Sequence, residues 1–388
     1  MSQKNTIKYH HFYLLFPNVF GFKGGIQVYS CFLLKALQDL CPKDNYDIFL
    51  KYDKSNSSQW QKFQFLSHTN FHYFGHIPKL IQSIILAIKV IILGIIQRPN
   101  LVITTHVNYA IICYFLKIFT GTPYWVIAHG TEVWDLRDHA HQLALRNADK
   151  IISVSNYTSQ RLLQDKNINP GKIALLPNTF DSSKFTINSK PGYLLKRYGL
   201  SLNQPVILTV TRMGRMAKYK GYDQVLYALV KVRHYIPNVH YILAGKGDDQ
   251  PRIQALIASL NLQDCVTLAG FVPDKELCDH YNLCDVFTMP SIGEGFGIVY
   301  LEALACGKPV LAGNQDGSVD PLVGGKLGCL VDPHDIEEIS NSLIDILQGN
   351  YFNHLIYQPE YLRQKTIESF DFVKFRATLA ELLKCLAV

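Results

Sequence analysis

The sequence of 388 residues lacks the motifs that mark several large classes of enzyme. It contains neither G-x-G-x-x-G after a predicted strand nor G-x-x-x-x-G-K-[ST], which argues against a dehydrogenase and against a P-loop nucleotidase. Its 14 histidines form no H-E-x-x-H and no Cys/His spacing typical of a metal site, so no metal is predicted. Because the chain also lacks a fixed-period repeat and a low-complexity tract, we expect ordinary globular domains.

The cysteines and the first residues argue against a secreted protein. The nine cysteines are an odd number, form no C-x-x-C pair and lie mostly in apolar runs, which is typical of reduced thiols in a cytosol. The N-terminal stretch "MSQKNTIKYHHFYLLFPNVF" has no long apolar run before a small-residue cleavage site. It predicts a first strand rather than a signal peptide, and we expect a cytoplasmic protein.

The sequence has no long, uninterrupted apolar segment. The nearest is "LIQSIILAIKVIILGII", residues 80–96, which contains Gln82, Ser83, Lys89 and Gly94 and lies at the lower limit of length for spanning a bilayer. It predicts a helix buried between a sheet and its neighbours. The alternative is a helix that contacts a membrane surface.

Positive charge is concentrated in the first half of the chain. Residues 1–182 contain 18 Lys and Arg against 10 Asp and Glu, whereas residues 183–388 contain 20 against 21. Lysines on a solvated face are one explanation, and an anionic surface or substrate is the other. If that surface is a membrane, the protein would bind peripherally to its cytoplasmic face. No nucleic-acid partner is predicted.

The distribution of apolar residues predicts an α/β protein of two domains. Short β-branched or aromatic runs alternate with longer segments of helical period, the pattern of repeated β-α units and a parallel sheet. The irregular stretch between Pro177 and Pro205 is the predicted linker, which gives domains at 1–182 and 183–365 and a final helical segment at 366–388. The predicted strands are "YHHFYLLF", "YDIFL", "LVITTH", "PYWVIA", "KIISVS" and "KIALLP", then "PVILTV", "VHYILAG", "CVTLAGF", "DVFTMP", "PVLAG" and "GCLVD".

Two glutamates stand out in "SIGEGFGIVYLEALACGKPV", residues 291–310. Glu294 follows a predicted strand, among glycines that let a backbone approach a ligand, and precedes a helix that we expect to begin near Phe296. The free N–H groups of such a helix start suit a phosphate. Glu302 lies one to two turns into that apolar helix, where an unpaired carboxylate is costly, so it should accept hydrogen bonds. A surface Glu and a turn Glu are the alternative.

Further polar residues follow other predicted strands. Arg212, Arg215, Lys218 and Lys220 lie in one short loop after "PVILTV", and four cations there fit a diphosphate, although an exposed basic loop would look the same. In the first domain, "FPNVFGFKGGIQVYS" runs from a strand through Gly24 and Gly25 into a helix, and His129 directly follows "PYWVIA". A Gly-Gly turn and a lone histidine are weak signals individually, and such a histidine is more often structural than catalytic.

Together these residues resemble the glycosyltransferases of family 4, retaining enzymes with the GT-B fold. The most specific mark is E-x7-E, here Glu294 and Glu302, and the resemblance covers nearly the whole chain. It implies two Rossmann-like doubly wound domains facing a central cleft, with the C-terminal helix returning to the N-terminal domain. The supporting marks, in chain order, are the Gly-Gly loop, "AHGTEVW", "ADKIISVSNYTSQRL", "LPNTFD", "VTRMGRMAKYKGYD" and "LAGKGDD".

The resemblance also implies a role for each site residue. Glu302 would clamp the ribose of a UDP- or GDP-sugar, Glu294 would bind hydroxyls of the donor sugar, and Arg212 with Lys220 would hold the diphosphate. Of the remaining residues, His129 would face the reaction centre, and the others would form the donor-binding backbone: Gly24, Gly25, Gly295, Phe296 and Gly297. His129, Glu294, Arg212 and Lys220 are thus the candidate catalytic residues.

The implied reaction moves a sugar to a hydroxyl of a saccharide or lipid-linked acceptor, with retention at the anomeric carbon and without a metal or a further cofactor. Such a reaction would serve polysaccharide or glycolipid synthesis. No carboxylate is obviously placed as a nucleophile, so we expect attack on the face from which the diphosphate leaves. A nucleotide-sugar epimerase and a non-catalytic nucleotide-sugar-binding protein are the alternatives.

The sequence departs from the family pattern in three places. The loop between Arg212 and Lys220 is longer than in many relatives, so Lys218 is an alternative second cation. The turn that often reads N-G-[VI]-D is "NTFD" at 178–181, without its glycine. "GNQDGSVDPL", residues 313–322, replaces a glycine-rich P-E turn, which implies a different donor preference.

Overall fold

The computed structural model describes residues 10–20, 24–55, 68–165 and 167–384. It divides the chain into two compact units, one of Met1–Asn178 with Phe375–Val388 and one of Thr179–Lys374. Each unit contains a parallel sheet with helices packed against it.

The sheet of the first unit has seven parallel strands within the described residues, in the order β3-β2-β1-β4-β5-β6-β7. The sequence pattern did not predict β3, because this half-exposed edge strand, "TNFHY", lacks an apolar run. The strands are His11–Phe16 (β1), Asn45–Leu50 (β2), Thr69–Tyr73 (β3), Leu101–Thr104 (β4), Tyr124–Ala128 (β5), Lys150–Ser153 (β6) and Ile173–Leu175 (β7).

The helices of the first unit connect these strands and cover the sheet. Except for the first helix, they contribute apolar side chains to one core with the strands, in which Tyr13, Leu116 and Val126 are buried. The helices are Gly25–Leu40 (α1), Lys79–Gln97 (α2), Ala110–Thr120 (α3), Thr131–Trp134 (α4), His139–Arg146 (α5) and Asn156–Leu163 (α6).

Helix α2 corrects the prediction of a buried helix at 80–96. Only Gln82, Leu86, Val90 and Gly94 are buried, and they form the stripe that packs against α3 and the unit's core. The opposite face is exposed, and the exposed fraction of Leu80 is 93%. By length and composition, Lys79–Gln97 is a helix that could cross a membrane. The prediction was wrong because a helix that is apolar on all sides does not show which side is covered.

The second unit has a six-stranded parallel sheet in the order β10-β9-β8-β11-β12-β13. This order is the 3-2-1-4-5-6 arrangement of a doubly wound sheet, which reverses direction between its first and fourth strands, here β8 and β11. Every predicted strand of this half is present. The strands are Val206–Val210 (β8), His240–Ala244 (β9), Val266–Gly270 (β10), Val286–Met289 (β11), Val310–Gly313 (β12) and Cys329–Val331 (β13).

Three helices of the second unit, at residues 222–235, 250–259 and 336–348, contribute to a core in which Tyr222, Leu226 and Ile339 are fully buried. Another helix, Gly192–Tyr198 (α7), lies in the stretch 177–205 that the sequence predicted to be irregular. The others are Tyr222–Tyr235 (α8), Gln250–Ser259 (α9), Asp274–Leu283 (α10), Ile298–Ala305 (α11), Ile336–Gln348 (α12) and Pro359–Phe370 (α13).

The last helix, Phe372–Lys384 (α14), belongs to the first unit from Phe375 onward. The ring of Phe375 contacts that of Tyr29, with 5.5 Å between centroids. Arg376 pairs with Asp39 at 3.3 Å. The C-terminal residues therefore complete the fold of the N-terminal unit.

Candidate functional site

The loops after β8 and β11 lie side by side, because the two strands are hydrogen-bonded neighbours at the reversal of the strand order. In open α/β sheets, this is where ligands bind. Gly221 ends the first loop with φ of 81°, and a Cβ on it would lie 2.1 Å from the Pro290 carbonyl oxygen. Only glycine permits both this backbone conformation and this close approach.

A direct ion pair joins the two loops. Nζ of Lys220 contacts Oε1 of Glu294, and the side chains of both residues are largely buried, with 14% and 11% exposed. The sequence predicted both residues as site residues but did not predict that they would be partners. Each depends on the other, because an unpaired buried charge is costly.

Burial and two charged groups determine the pKa of Lys220. Burial, followed by the neighbouring Arg212 guanidinium, lowers the pKa of Lys220 to about 7, and the Asp316 carboxylate acts in the opposite direction. An anion beside an ammonium group favours its charged form, so a bound phosphate group would raise the pKa of Lys220 again. Arg212 is exposed and also interacts with Tyr219.

Lys218 has a different environment from Lys220. Its side chain is exposed, and its charge acts on Asp249, which also accepts hydrogen bonds from Tyr222 and Arg252. Of the two candidate lysines, Lys220 is the one in contact with Glu294.

Asp316 is a buried carboxylate that the sequence interpretation did not identify. One of its oxygens accepts hydrogen bonds at 2.7 Å from the backbone N–H of Glu294 and from the Ser291 hydroxyl. Its other oxygen accepts from the N–H of Ser318. Burial raises the pKa of Asp316 to about 6. The segment that departs from the family pattern thus holds the Glu294 loop in place.

Glu302 lies in the second turn of α11 and is partly exposed. Its Oε2 accepts a hydrogen bond from the Tyr281 hydroxyl of α10 at 2.7 Å. The expectation that this carboxylate accepts a hydrogen bond is therefore confirmed, with Tyr281 as a donor that the sequence did not reveal.

The backbone between the two glutamates differs in detail from the prediction. Helix α11 begins at Ile298 rather than near Phe296, with Gly297 as its N-cap at φ of 91°. The ring of Phe296 is buried against Phe370, with 5.5 Å between centroids, so its side chain packs in the core.

The backbone of the Glu294 loop also contacts Gly317. The Glu294 carbonyl accepts a hydrogen bond from the Gly317 N–H at 2.8 Å. The Gly295 carbonyl oxygen is also close to Gly317, because a Cβ placed on Gly317 would lie only 2.2 Å from it.

In the first unit, Gly24 and Gly25 stand where helix α1 begins. Gly24 is the N-cap and no side chain caps the helix there, while a Cβ on Gly25 would meet nothing within 4 Å. Packing within the described residues therefore does not require glycine at position 25. Earlier in the chain, the N–H groups of Val19 and Phe20 donate hydrogen bonds to buried Asp53.

His129 lies between β5 and α4. Its ring meets that of Tyr29 edge to face, with 4.9 Å between centroids. Burial, followed by the charge of His106, lowers the pKa of His129 to about 3, and a hydrogen bond with the Thr105 backbone acts in the opposite direction. The imidazole is therefore neutral at pH 7. Its Nε2 is buried and has no hydrogen-bond partner among the described residues.

The structure thus brings Lys220 and Glu294 into contact, with Arg212 beside them, and places Glu302 on the helix that follows. Gly24, Gly25 and His129 belong to the other unit. The described residues contain no group of three or more His, Cys, Asp and Glu side chains that could hold a metal ion.

Two family models match the chain. Residues 195–365 match the model described as glycosyl transferases group 1, and residues 23–184 match the one described as glycosyltransferase family 4. These two segments comprise most of both units.

Curated relatives match over a shorter length. The chain is 32% identical, over 231 residues, to a GDP-mannose-dependent alpha-(1-6)-phosphatidylinositol monomannoside mannosyltransferase of Mycolicibacterium smegmatis; the match covers 56% of this chain and 59% of the relative. It is 31% identical, over 211 residues, to a D-inositol 3-phosphate glycosyltransferase of Corynebacterium jeikeium, covering 52% and 50%. The chain thus spans between half and three fifths of the length of these relatives.

Solved structures resemble the chain over nearly its whole length. Anabaena HepE, in complex with UDP and glucose, matches with a TM-score of 0.78 and 20% identity over 97% of this chain and 100% of that one. Sucrose-phosphate synthase of Thermosynechococcus elongatus matches with a TM-score of 0.80 and 20% identity over 97% and 99%. These similarities confirm the predicted fold class, GT-B. The two family models, which together match most of the chain, show that it belongs to glycosyltransferase family 4.

Proposed function

We propose that this protein is a retaining glycosyltransferase that moves a sugar from a nucleoside diphosphate sugar to a hydroxyl acceptor without a metal. The observation that carries the proposal is the contact between Lys220 and Glu294 at the reversal point of a doubly wound sheet. A cation and a carboxylate at this position can hold the diphosphate and the sugar hydroxyls of one donor molecule. The activities of the relatives, which transfer mannose from GDP-mannose or glycosylate inositol 3-phosphate, support the same reaction class.

In the proposed reaction, the bond between the anomeric carbon and the diphosphate oxygen breaks as the acceptor oxygen bonds to that carbon. The acceptor proton passes to the departing phosphate oxygen on the same face, which retains the anomeric configuration. Negative charge grows on the leaving diphosphate, and Arg212 and Lys220 stabilise it without a metal ion. Positioned charges of this kind are often the largest contribution to catalysis.

The assay that tests the proposal incubates the protein with UDP- and GDP-sugars, with and without saccharide and lipid-linked acceptors. We expect transfer that depends on the acceptor, with little hydrolysis. Epimerisation of the donor without an acceptor would favour an epimerase. Nucleotide binding without turnover of any donor would favour a non-catalytic binding protein.

Glu302→Ala should weaken nucleoside diphosphate binding and leave the protein folded. Glu302 supplies a carboxylate that two adjacent ribose hydroxyls can share, and a hydrogen bond to a charged group contributes about 1.5 to 3 kcal/mol. The affinity should therefore fall by about 10- to 150-fold, as measured by calorimetry with UDP and GDP. Tyr281→Phe is the matched control, because it removes the protein's own hydrogen bond to Glu302 and keeps the carboxylate. An unchanged affinity in Glu302→Ala would show that Glu302 is not the ribose ligand.

We further propose that the first unit docks on an anionic membrane surface and takes a lipid or lipid-linked acceptor there. Helix α2 and the neighbouring helix α3 expose a continuous set of apolar side chains, while Lys79, Lys89 and Arg98 are exposed on or next to α2. Apolar side chains can enter the bilayer interface, and anionic headgroups attract each nearby cation by about 1 kcal/mol. The apolar residues are Leu80, Ile81, Ile84, Ile88, Ile92, Ile95, Ile96, Phe115, Ile118 and Phe119.

Vesicle flotation tests the membrane proposal. The protein should rise with anionic vesicles, less so at high salt because screening weakens the attraction, and hardly at all with neutral vesicles. Ile88→Glu with Ile92→Glu should abolish flotation. The same charges at Leu202 and Phe271, which are exposed apolar residues of the second unit, are the control and should have no effect. Failure of the protein to float with either vesicle type would contradict the proposal.

A further inference from the structure

Two cysteines of the second unit are in contact directly beside the helix that carries Glu302. Cys278 lies in α10, and Cys306 follows the last residue of α11. Their Sγ atoms are 3.8 Å apart. This separation is close to van der Waals contact between two thiols, and a disulfide requires about 2.05 Å. An approach of less than 2 Å therefore separates the reduced pair from a covalent bond.

The two thiols have different surroundings. Cys278 is partly exposed, and its sulfur accepts hydrogen bonds at 3.4 Å from the backbone N–H of Thr186 and from the amide of Asn282. A hydrogen bond from Cys306 is the largest cause that lowers the pKa of Cys278, to about 6. Cys306 is fully buried, and this bond together with burial raises the pKa of its thiol. Cys278 is therefore suited to attack an external reagent, and Cys306 to attack second.

We propose that Cys278 and Cys306 form a reversible modification site that a small disulfide, such as oxidised glutathione, converts to an intramolecular disulfide. The Cys278 thiolate attacks one sulfur of the reagent, forming a mixed disulfide and releasing one glutathione thiolate. Cys306 then attacks the Cys278 sulfur, which releases the second glutathione as a thiolate, and a released glutathione thiolate takes up the Cys306 proton. The two protein thiols are oxidised, and the reagent is reduced to two thiols.

The position of the pair links this oxidation to the nucleotide site, an argument that rests on the proposed function. Cys306 lies one turn beyond Glu302 in the same helical segment, and its N–H donates to the Glu302 carbonyl at 3.2 Å. Tyr281, which donates to the Glu302 carboxylate, lies three residues after Cys278 in α10. Closing the disulfide draws the end of α11 towards α10 and displaces Glu302 from the ribose-binding position. Oxidation should therefore weaken nucleotide binding.

The covalent step is tested without reference to nucleotide binding. The full-length protein is incubated with oxidised glutathione, its free thiols are alkylated, and its peptides are analysed by mass spectrometry. We expect a peptide linked through Cys278 and Cys306 that is lost on reduction with dithiothreitol. Cys306→Ser should instead retain glutathione on Cys278, and Cys278→Ser should form neither product. Cys41→Ser, which removes another partly exposed thiol, should behave like the parent protein.

The functional consequence is measured by calorimetry with UDP and GDP before and after oxidation. The affinity should fall about tenfold on oxidation and recover on reduction, whereas Cys306→Ser should lose little. If the linked peptide does not form, or if Cys41 is oxidised as readily as Cys278, the modification site is wrong. If the linked protein binds nucleotide as well as the reduced protein does, the coupling to Glu302 is wrong. A reduced protein that binds neither nucleotide would refute the proposed function and leave the linked peptide as evidence for the site.

Discussion

Lys220→Ala should lower the turnover number by about 100-fold or more, and it should weaken nucleotide binding much less. Charge on the leaving diphosphate grows in the transition state, so a cation that contacts it lowers the barrier more than it stabilises the bound donor. Removing one such positioned charge typically costs a factor of 100 to 1,000 in turnover, or about 2.7 to 4 kcal/mol. The measurement is steady-state kinetics beside calorimetry with the nucleoside diphosphate.

Lys218→Ala is the matched control for this prediction. Lys218 lies two residues earlier in the same loop, but it is exposed and acts on Asp249 rather than on Glu294. Its removal should leave turnover within a few-fold of the parent value. Lys220→Ala leaves the Glu294 carboxylate buried without this partner, which costs stability. The double variant Lys220→Met with Glu294→Gln removes both charges. Its thermal midpoint shows whether the protein stays folded without the ion pair. If Lys218→Ala is the more damaging change, Lys218 is the catalytic cation.

The sequence predicted the buried strands more reliably than it predicted the edge strand β3 or the side of helix α2 that packs. Strands such as β5 and β9 are buried along their whole length, so they appear as short apolar runs between turn residues. Strand β3 lies at the edge of its sheet and is only half-buried, so its residues carry no such run. Helix α2 is the opposite case, because it has apolar residues on every side, which predicted a helix correctly but not which side of it packs.

The sequence predicted those site residues whose position directly after a strand brings them to one edge of the sheet. Residues that follow β8 and β11 must meet at one edge of a parallel sheet, so Lys220 and Glu294 were expected near one ligand. The hydrogen-bond partners of Glu302 and Glu294 come from residues distant in the chain. Tyr281 reaches Glu302 from a different helix, and Asp316 reaches the N–H of Glu294 from the loop after β12. Neither pairing follows from spacing, although an acidic residue three positions after a predicted strand was a signal that could have indicated Asp316.

His129→Ala should reduce transfer by at least about 100-fold while nucleoside diphosphate affinity stays near the parent value. We propose that His129 faces the reaction centre rather than the nucleotide, and a positioned side chain at the reacting group typically contributes a factor of 100 to 10,000. A buried Nε2 without a partner among the described residues is available to a hydroxyl. His129→Phe should be equally inactive, although its ring keeps the contact with Tyr29.

Comparison of the two His129 variants separates a catalytic role from a packing role. The pH dependence of protein stability gives a second measurement. His129 has a pKa near 3 in the folded chain and about 6.5 when unfolded, so only the unfolded state gains a proton as the pH falls through 6.5. The parent protein therefore loses stability between about pH 6.5 and pH 3, and His129→Phe should lose less over the same range. His139→Ala, which removes an exposed histidine of the same unit, is the control. If His129→Phe transfers sugar at the parental rate but still shows the smaller acid sensitivity, His129 packs the core and takes no part in the reaction.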